Sequence, residues 1–248
     1  MGGLRLALTL FTIAPAGVAR FDRPTARTAM ALAPLVGVML GGVLGGLALG
    51  LRAGGASPLM AAAATVALSA VCTRALHLDG LADTADGLGS YQGADKALEI
   101  MKKSDIGPFG VVAIVAVLLL DVAALTSVYA RPWPEVLALV VAGTAAGRLG
   151  ATVACRAGLP AARPDGLGAL VAQTLPRAAV AAITLLVAAA AALADPVRGP
   201  LAVLLAAAAA WAVTGHAHRR LGGVTGDVIG AAVELATMTA WLVLATAP

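Results

Sequence analysis

Long apolar stretches separated by short polar segments dominate this chain of 248 residues. A helix needs roughly 20 apolar residues to cross a lipid bilayer. These stretches do not alternate apolar and polar residues, as the strands of a membrane β-barrel would. The pattern predicts an all-α, polytopic integral membrane helical bundle with about seven transmembrane helices, in a range of six to eight. The predicted spans are 28–51, 57–76, 107–130, 132–155, 178–194, 200–215 and 228–247.

Composition strengthens this prediction. The chain is 60% hydrophobic and 12% charged, whereas soluble domains carry about 25% charged residues. Residues 1–20 have Arg5 before a short apolar stretch that Pro15 interrupts. We interpret them as an interfacial or re-entrant helix, with a removed signal peptide as the alternative. Cys72 and Cys155 lie in apolar stretches and are interpreted as small buried hydrophobic residues.

The distribution of basic residues predicts the orientation. If the helix near Thr28 starts in the cytoplasm, the outside loops hold only Arg52, Arg131 and Arg198. Such an asymmetry is what the positive-inside rule requires. No basic patch is interleaved with aromatic residues, which argues against nucleic-acid binding. The residues predicted to lie inside are Arg20, Arg23, Arg27, Arg74, Lys96, Lys102, Lys103, Arg156, Arg163, Arg177, Arg219 and Arg220.

Three polar segments of this single membrane-embedded domain then face the cytoplasm, at 77–106, 156–177 and 219–237. This topology allows them to converge on one pocket at the membrane surface. The predicted active-site loops are therefore cytoplasmic, in a multi-pass protein of the cell membrane.

The most informative segment is HLDGLADTADGLGS, residues 77–90, which contains Asp79, Asp83 and Asp86. In a helix, this spacing places the three carboxylates on one face. They repel one another unless protons or a cation compensate their charges. Mg²⁺ prefers oxygen ligands and uses one or two carboxylates together with substrate phosphates. The segment predicts a metal site for a phosphorylated substrate; a solvated acidic loop is the alternative.

The same segment contains two Asp-Gly pairs, at 79–80 and 86–87, which are typical of turns and argue against an uninterrupted helix. A short helix ending at Gly87 would still present the three carboxylates together. His77 is a candidate base, metal ligand or residue at a helix end.

Two further segments hold candidate phosphate contacts. A short helix is expected from about Ala94 to Met101. Lys102, Lys103 and Ser104 follow it, either as phosphate contacts or, for the lysines, as membrane anchors. The region between Arg156 and Arg177 is free to fold over the site.

The segment 219–237 places Asp227 and Glu234 seven residues apart, on one face of the last helix. Glu234 would lie roughly 10 Å into the span, where an ionisable residue suggests a function. Nearby glycines would let a ligand approach the backbone closely. They are Gly222, Gly223 and Gly226.

Asp121 and Arg148 are ionisable residues within two neighbouring predicted spans. Two interpretations stay open. The two side chains pair with each other inside the membrane, or Arg148 reaches the pocket and contacts a phosphate.

Three motifs carry a family resemblance: HLDGLADTADGL, LEIMKKSDIGPFG and RRLGGVTGDVIGAAVELA. Together with the FTIAP segment and Arg148, they resemble the cobalamin synthase family, adenosylcobinamide-GDP ribazoletransferase. The middle motif departs from the family pattern, because Lys103 stands where an acid is usual and Asp105 where a base is usual.

The resemblance implies a Mg²⁺-dependent enzyme of the bacterial cytoplasmic membrane. Such an enzyme transfers the adenosylcobinamide phosphate unit of adenosylcobinamide-GDP to α-ribazole or α-ribazole 5′-phosphate, and GMP leaves. The product is adenosylcobalamin or its 5′-phosphate, at the last step of nucleotide-loop assembly. The lower-ligand base and a homo-oligomeric state are left open.

The resemblance also suggests roles for individual residues. The expected metal ligands are Asp79, Asp83, Asp86, Asp227 and Glu234. The expected catalytic residues are Asp86, His77 and Asp227. The expected substrate-binding residues are Lys102, Ser104, Arg148, Gly222, Gly223, Thr225 and Gly226.

Two other functions compete with this assignment. A phosphatidyltransferase acting on CDP-activated alcohols also uses clustered aspartates, but its Ala-Arg step is missing here. A secondary transporter would use Asp121, Arg148 and Glu234 as a relay within the membrane. The concentration of acidic residues at one membrane face argues against a transporter.

Overall fold

A computed structural model describes residues 2–17 and 21–246, in which every regular element is an α-helix. Arg20, one of the basic residues predicted to lie inside, falls outside the described residues. The helices are α1 Gly2–Phe11, α2 Arg23–Ala31, α3 Ala33–Ala53, α4 Pro58–Cys72, α5 Leu76–Gly89, α6 Ala94–Ile100, α7 Pro108–Val128, α8 Trp133–Ala154, α9 Gly166–Val171, α10 Arg177–Ala191, α11 Arg198–Leu221 and α12 Gly226–Ala245.

The prediction of an all-α, polytopic membrane bundle is confirmed. In the described ranges, five helices are long and apolar enough to cross a membrane: α3, α7, α8, α11 and α12. The pair α4 and α5 passes the same test together but bends by 87°, so it is a broken span or a re-entrant loop.

The described residues thus contain five or six candidate spans, at or just below the lower end of the predicted range of six to eight. The predicted span 178–194 is the main difference, because α10 is a helix of only 15 residues. At 1.5 Å per residue it is about 22 Å long, shorter than the hydrocarbon core of roughly 30 Å.

Helix α8 lies at the centre of the bundle, against α3, α11 and α12. Small residues allow these helices to approach closely. A Cβ atom at Gly37 of α3 would lie 2.7 Å from the Cα of Ala145, and one at Gly150 would lie 2.5 Å from the carbonyl oxygen of Ala232. Neither glycine can be enlarged without moving a helix.

Helix α1 packs on α2 and buries Leu6, Ala7 and Phe11. Its ten residues extend about 15 Å, half the thickness of the hydrocarbon core. A position at the membrane interface, or a re-entrant one, is compatible with this length and stays a prediction.

Helix α5 corrects the expectation that Asp-Gly pairs interrupt this segment. It follows two residues with left-handed backbone conformation, Arg74 and Ala75, and continues unbroken to Gly89. Its glycines serve close packing instead of turns. A Cβ atom at Gly80 would lie 2.7 Å from the carbonyl oxygen of Asp227, and one at Gly87 would contact the side chain of Met101.

Candidate active site

A pocket of about 320 Å³ lies where the three polar segments meet. Its lining includes His77 and Lys102 from the first segment, Arg163 and Asp165 from the second, and Asp227 from the third. The predicted convergence of these segments on one face of the bundle is confirmed. The first and third segments are held together by packing between α5 and α12, in which Gly80 lies against the backbone of Asp227. Backbone hydrogen bonds between Val224 and both Pro160 and Ala162 join the second segment to the third.

Asp227 begins α12 at the edge of this pocket. The hydroxyl of Thr225 donates a hydrogen bond of 3.1 Å to Asp227 Oδ2 and accepts one of 3.2 Å from the backbone N–H of Val228. Arg163 Nη1 lies 4.0 Å from the same Asp227 oxygen. Thr225, expected to bind substrate, therefore lines the pocket while it caps the helix and orients Asp227.

Asp79 and Asp83 lie one turn apart on α5, with Asp79 exposed and Asp83 half-buried. Asp83 is close enough to Asp79, Asp86 and Asp227 for their charges to interact. No lysine or arginine of the described chain forms a salt bridge with Asp79 or Asp83. Negative charge on α5 and on the start of α12 is thus concentrated in one place, with Arg163 as the nearby compensating cation.

Asp86 differs from its neighbours because both of its carboxylate oxygens are already occupied. Oδ2 accepts a hydrogen bond of 2.7 Å from the backbone N–H of Gly107, and Oδ1 accepts one of 2.9 Å from that of Gly110. These N–H groups begin α7, where a helix has unsatisfied donors and attracts negative charge. The structure therefore gives Asp86 a role in the attachment of α7 to α5, and its expected role as a metal ligand or base stays a prediction.

Gly222 and Gly223, expected to contact substrate, do not line the pocket. Gly222 ends α11 in the left-handed region, at φ +81°, and the space beside it is open. Gly223 lies against the backbone of Pro160 and Ala161, where no Cβ atom would fit. At Gly223 the close approach is therefore between two parts of the chain. Gly226, in contrast, lines the pocket.

Arginines hold the region 156–177 against the bundle. Arg156 stacks over Trp211 at 3.8 Å and donates a hydrogen bond of 2.8 Å to the hydroxyl of Thr214. Burial and, to a smaller extent, the charge of Arg177 lower the pKa of Arg156 to about 10. The guanidinium group of Arg156 is therefore still charged at neutral pH. Arg23 donates to the carbonyl oxygens of Ala169 and Ala172, near the end of α9.

This fixed loop brings Arg163 and Asp165 to the pocket, where Arg163 also donates to the carbonyl of Leu98. Neither residue was among those expected in the site. A charged Arg-Pro-Asp-Gly turn inside an otherwise apolar loop was the available signal.

A second charged cluster lies deeper, around a very small cavity lined by Asp121, Arg148 and Glu234. Arg148 is 1% exposed, and its charge interacts with those of Asp121 and Glu234. It does not line the larger pocket. The structure therefore places Arg148 with Asp121 and Glu234 inside the bundle and away from the pocket. Among the described residues, no ion pair within 4.0 Å joins Arg148 to either carboxylate, so their interaction is one of charge at longer range.

His77 connects the two regions. Its ring stacks on Phe11 at the pocket, with ring centroids 5.6 Å apart, and its Nδ1 lies 4.0 Å from Glu234 Oε1. Within the described residues, His77 Nδ1, Asp121 Oδ1 and two nitrogens of Arg148 have no hydrogen-bond partner. The inner cluster therefore relies on electrostatic attraction more than on hydrogen bonds.

The residues after α6 divide between two sites. Lys102 lines the larger pocket. Lys103 and Asp105 line a separate open depression of about 280 Å³ beside Asp83 and Asp86. Ser104 is exposed and lines neither of them.

The predicted five-residue set of metal ligands is not assembled. Over residues 2–17 and 21–246, no three His, Cys, Asp or Glu side chains are placed so that they hold a metal ion by themselves. Cys72 and Cys155 are free thiols, with Cys155 buried.

Comparison with known proteins identifies the family. The model of the cobalamin-5-phosphate synthase family matches residues 3–245. Three curated relatives are each named adenosylcobinamide-GDP ribazoletransferase. That of Frankia casuarinae is 42% identical over 97% of this chain and 93% of its own length.

The Nocardioides relative is 39% identical, covering 90% of both chains. The Allorhizobium ampelinum relative is 42% identical over 86% of this chain and 84% of its own. No solved structure matches the chain. The matches extend over both acidic motifs and nearly all of the bundle, and the chain therefore belongs to the cobalamin-5-phosphate synthase family.

Proposed function

We propose that this chain is a Mg²⁺-dependent adenosylcobinamide-GDP ribazoletransferase of the bacterial cytoplasmic membrane, with its pocket facing the cytoplasm. It would join adenosylcobinamide-GDP to α-ribazole or α-ribazole 5′-phosphate and release GMP. The names of the relatives support the substrates. The observation that carries the proposal is that packing of α5 on α12 brings Asp79 and Asp83 close to Asp227, which lines the pocket.

The donor set fits Mg²⁺ with fewer protein ligands than the five expected. Asp79, Asp83 and Asp227 supply hard oxygen donors whose mutual repulsion a cation would relieve. Mg²⁺ is typically held by one or two carboxylates and completed by substrate phosphates and water, so a site of three protein ligands is not required. Asp86 and Glu234 fit this role less well, because the first caps α7 and the second lies with Arg148.

The bound ion would withdraw electron density from the diphosphate and offset its charge. In the reaction, a ribose hydroxyl of the acceptor forms a bond to the phosphorus that carries the cobinamide group. The phosphoanhydride bond breaks, and GMP leaves with the bonding electron pair. The hydroxyl proton passes to a carboxylate, for which Asp79 and Asp83 are available because Asp86 already accepts two hydrogen bonds.

The remaining side chains of the pocket would bind and orient. Lys102 and Arg163 place positive charge where phosphate oxygens need compensation. Thr225 and Arg163 hold the carboxylate of Asp227 in position. Phosphoryl transfer depends mainly on such alignment and electrostatic stabilisation.

The test is GMP release by the full chain in lipid nanodiscs, with adenosylcobinamide-GDP and α-ribazole as substrates. Asp83→Asn should lower kcat by about 100-fold or more, as expected for the loss of an electrostatic contact in the transition state. The matched control is Asp95→Asn, an exposed aspartate on α6, which should keep the wild-type rate.

A Mg²⁺ titration of Asp83→Asn separates lost metal affinity, which excess Mg²⁺ restores, from lost chemistry, which it does not. A wild-type chain that releases no GMP, or that instead converts CDP-activated alcohols, would contradict the proposal. Near-normal activity of Asp83→Asn would remove that residue from the site.

A further inference from the structure

The pocket that Asp227 lines has an apolar part and a polar part. Its apolar residues come from α1, α2, α9, the starts of α5 and α12 and the turn before α12. Three of them are almost fully buried: Phe11, Met30 and Ile229, at 3%, 1% and 3% exposure. Its polar residues come from the end of α6, the loop before α9 and the start of α12. They include Lys102, Arg163, Asp165 and Asp227. A ligand that fits both parts has a flat apolar end and an anionic or hydroxylated end.

Stacked rings contribute to the wall of the apolar part. The rings of Phe11 and His77 are 5.6 Å apart and inclined by only 21°. Both side chains line the pocket. Aromatic surfaces of this kind favour contact with another flat ring.

The volume of about 320 Å³ limits what this pocket encloses. Pockets at the lower end of the range for small ligands, roughly 300 Å³, take a ligand the size of one nucleoside. A corrin macrocycle with its peripheral amides is several times larger. The corrinoid body of adenosylcobinamide-GDP therefore stays outside, which leaves two nucleoside-sized groups, its guanosine and the acceptor α-ribazole.

The chemistry of the apolar part distinguishes between these two groups. Guanine has several donors and acceptors on its ring edge, and burying them against Phe11, Met30 and Ile229 without partners is unfavourable. The base of α-ribazole is a benzimidazole, with a single free ring nitrogen and otherwise apolar edges. Burial of such a base in an apolar pocket is favourable.

We propose, on the basis of the proposed function, that this pocket is the acceptor subsite, in which the base of α-ribazole lies against α1, α2 and Ile229. Its ribose, or ribose 5′-phosphate, extends toward Lys102 and Arg163. The N-terminal helix α1 then has a specific task, because it supplies the aromatic side of the base-binding pocket.

The test narrows the pocket at Gly226 without disturbing the fold. A Cβ atom at Gly226 would meet only Leu167, at an ordinary distance of 3.5 Å, and both residues line the pocket. Gly226→Val should raise the KM for α-ribazole by about tenfold, and the Kd for α-ribazole measured by calorimetry should rise by about the same factor. The KM for adenosylcobinamide-GDP should change by less than about twofold. The matched control is Gly42→Val on α3, where an added side chain meets open space, and both KM values should stay at wild type.

Phe11→Leu provides a second variant, which removes an aromatic face but keeps an apolar side chain. It should also weaken α-ribazole binding selectively, and thermal unfolding in detergent reports whether α1 is still folded. A selective rise in the KM for adenosylcobinamide-GDP would place guanosine in the pocket and overturn the inference, as would unchanged binding of both substrates. A wild-type chain without transferase activity would instead contradict the proposed function.

Discussion

Two carboxylates on the same face of α12, Asp227 and Glu234, lie in contrasting surroundings. The side chain of Asp227 is 29% exposed at the pocket, where it interacts with Thr225 and Arg163. That of Glu234 is 13% exposed and lies two turns deeper, near His77 and Arg148. The first region accumulates negative charge, whereas the second offsets it with a buried arginine.

This difference shows how one helix serves two purposes. Near the pocket, Asp79, Asp83 and Asp227 repel one another, and a cation bound together with the substrate would reduce this repulsion. In the inner cluster, Arg148 compensates Asp121 and Glu234, so that these charges are tolerated inside the bundle. We therefore expect substitutions at the pocket to change catalysis and substitutions in the inner cluster to change stability.

The largest expected effect is on stability, from Arg148→Met. Removal of this cation leaves Asp121 and Glu234 buried without compensation, which should destabilise the protein by about 3–5 kcal/mol. Unfolding in mixed detergent micelles, followed by circular dichroism, measures the loss. Arg52→Met is the control, because Arg52 is exposed and its side chain, among the described residues, donates only to the nearby carbonyl of Ala56.

A double variant tests the cause of this destabilisation. Asp121→Leu combined with Arg148→Met should be less destabilised than the sum of the two single variants, by about 0.5–3 kcal/mol. If the losses of unfolding free energy in the two single variants simply add in the double variant, Asp121 and Arg148 do not interact. The contrast between the pocket and the inner cluster would then not be electrostatic.

Asp227→Asn should have the opposite profile. Because Asp227 belongs to the pocket, we expect kcat to fall by about 100-fold, while the free energy of unfolding changes by less than about 0.5 kcal/mol. Initial rates of GMP release and the same unfolding assay provide the two values. A large loss of stability with normal kcat would assign Asp227 to the structural group.

The smallest expected effect comes from Asp86→Asn, which lies in the acidic motif but bonds to α7. An asparagine keeps one acceptor oxygen and loses the charge-assisted bonds, so the protein should lose about 1–2 kcal/mol of stability. Asp83→Asn is the matched comparison, because it should keep stability and lose activity. If Asp86→Asn and Asp83→Asn lose activity equally and neither loses stability, Asp86 acts in catalysis.

The sequence alone predicted the features that depend on local pattern. The length of the apolar stretches identified the helical membrane bundle, although the 15 residues of α10 fall short of a span. The spacing of Asp79, Asp83 and Asp86 indicated one helical face, and the asymmetry of basic residues placed the three polar segments together. The first two predictions depend on residues within a few helical turns of one another, and the third depends on how the basic residues are distributed between loops.

Only the tertiary structure decided which of these residues share a site. Asp86 is occupied by backbone groups more than 20 positions away, at Gly107 and Gly110. Arg163 reaches Asp227 because backbone bonds join Val224 to Pro160 and Ala162. Helical periodicity predicts which face of a helix carries a residue, but it does not predict which residues pack against that face. Hydrogen-bond partners and compensating charges depend on that packing, and therefore only the tertiary structure shows them.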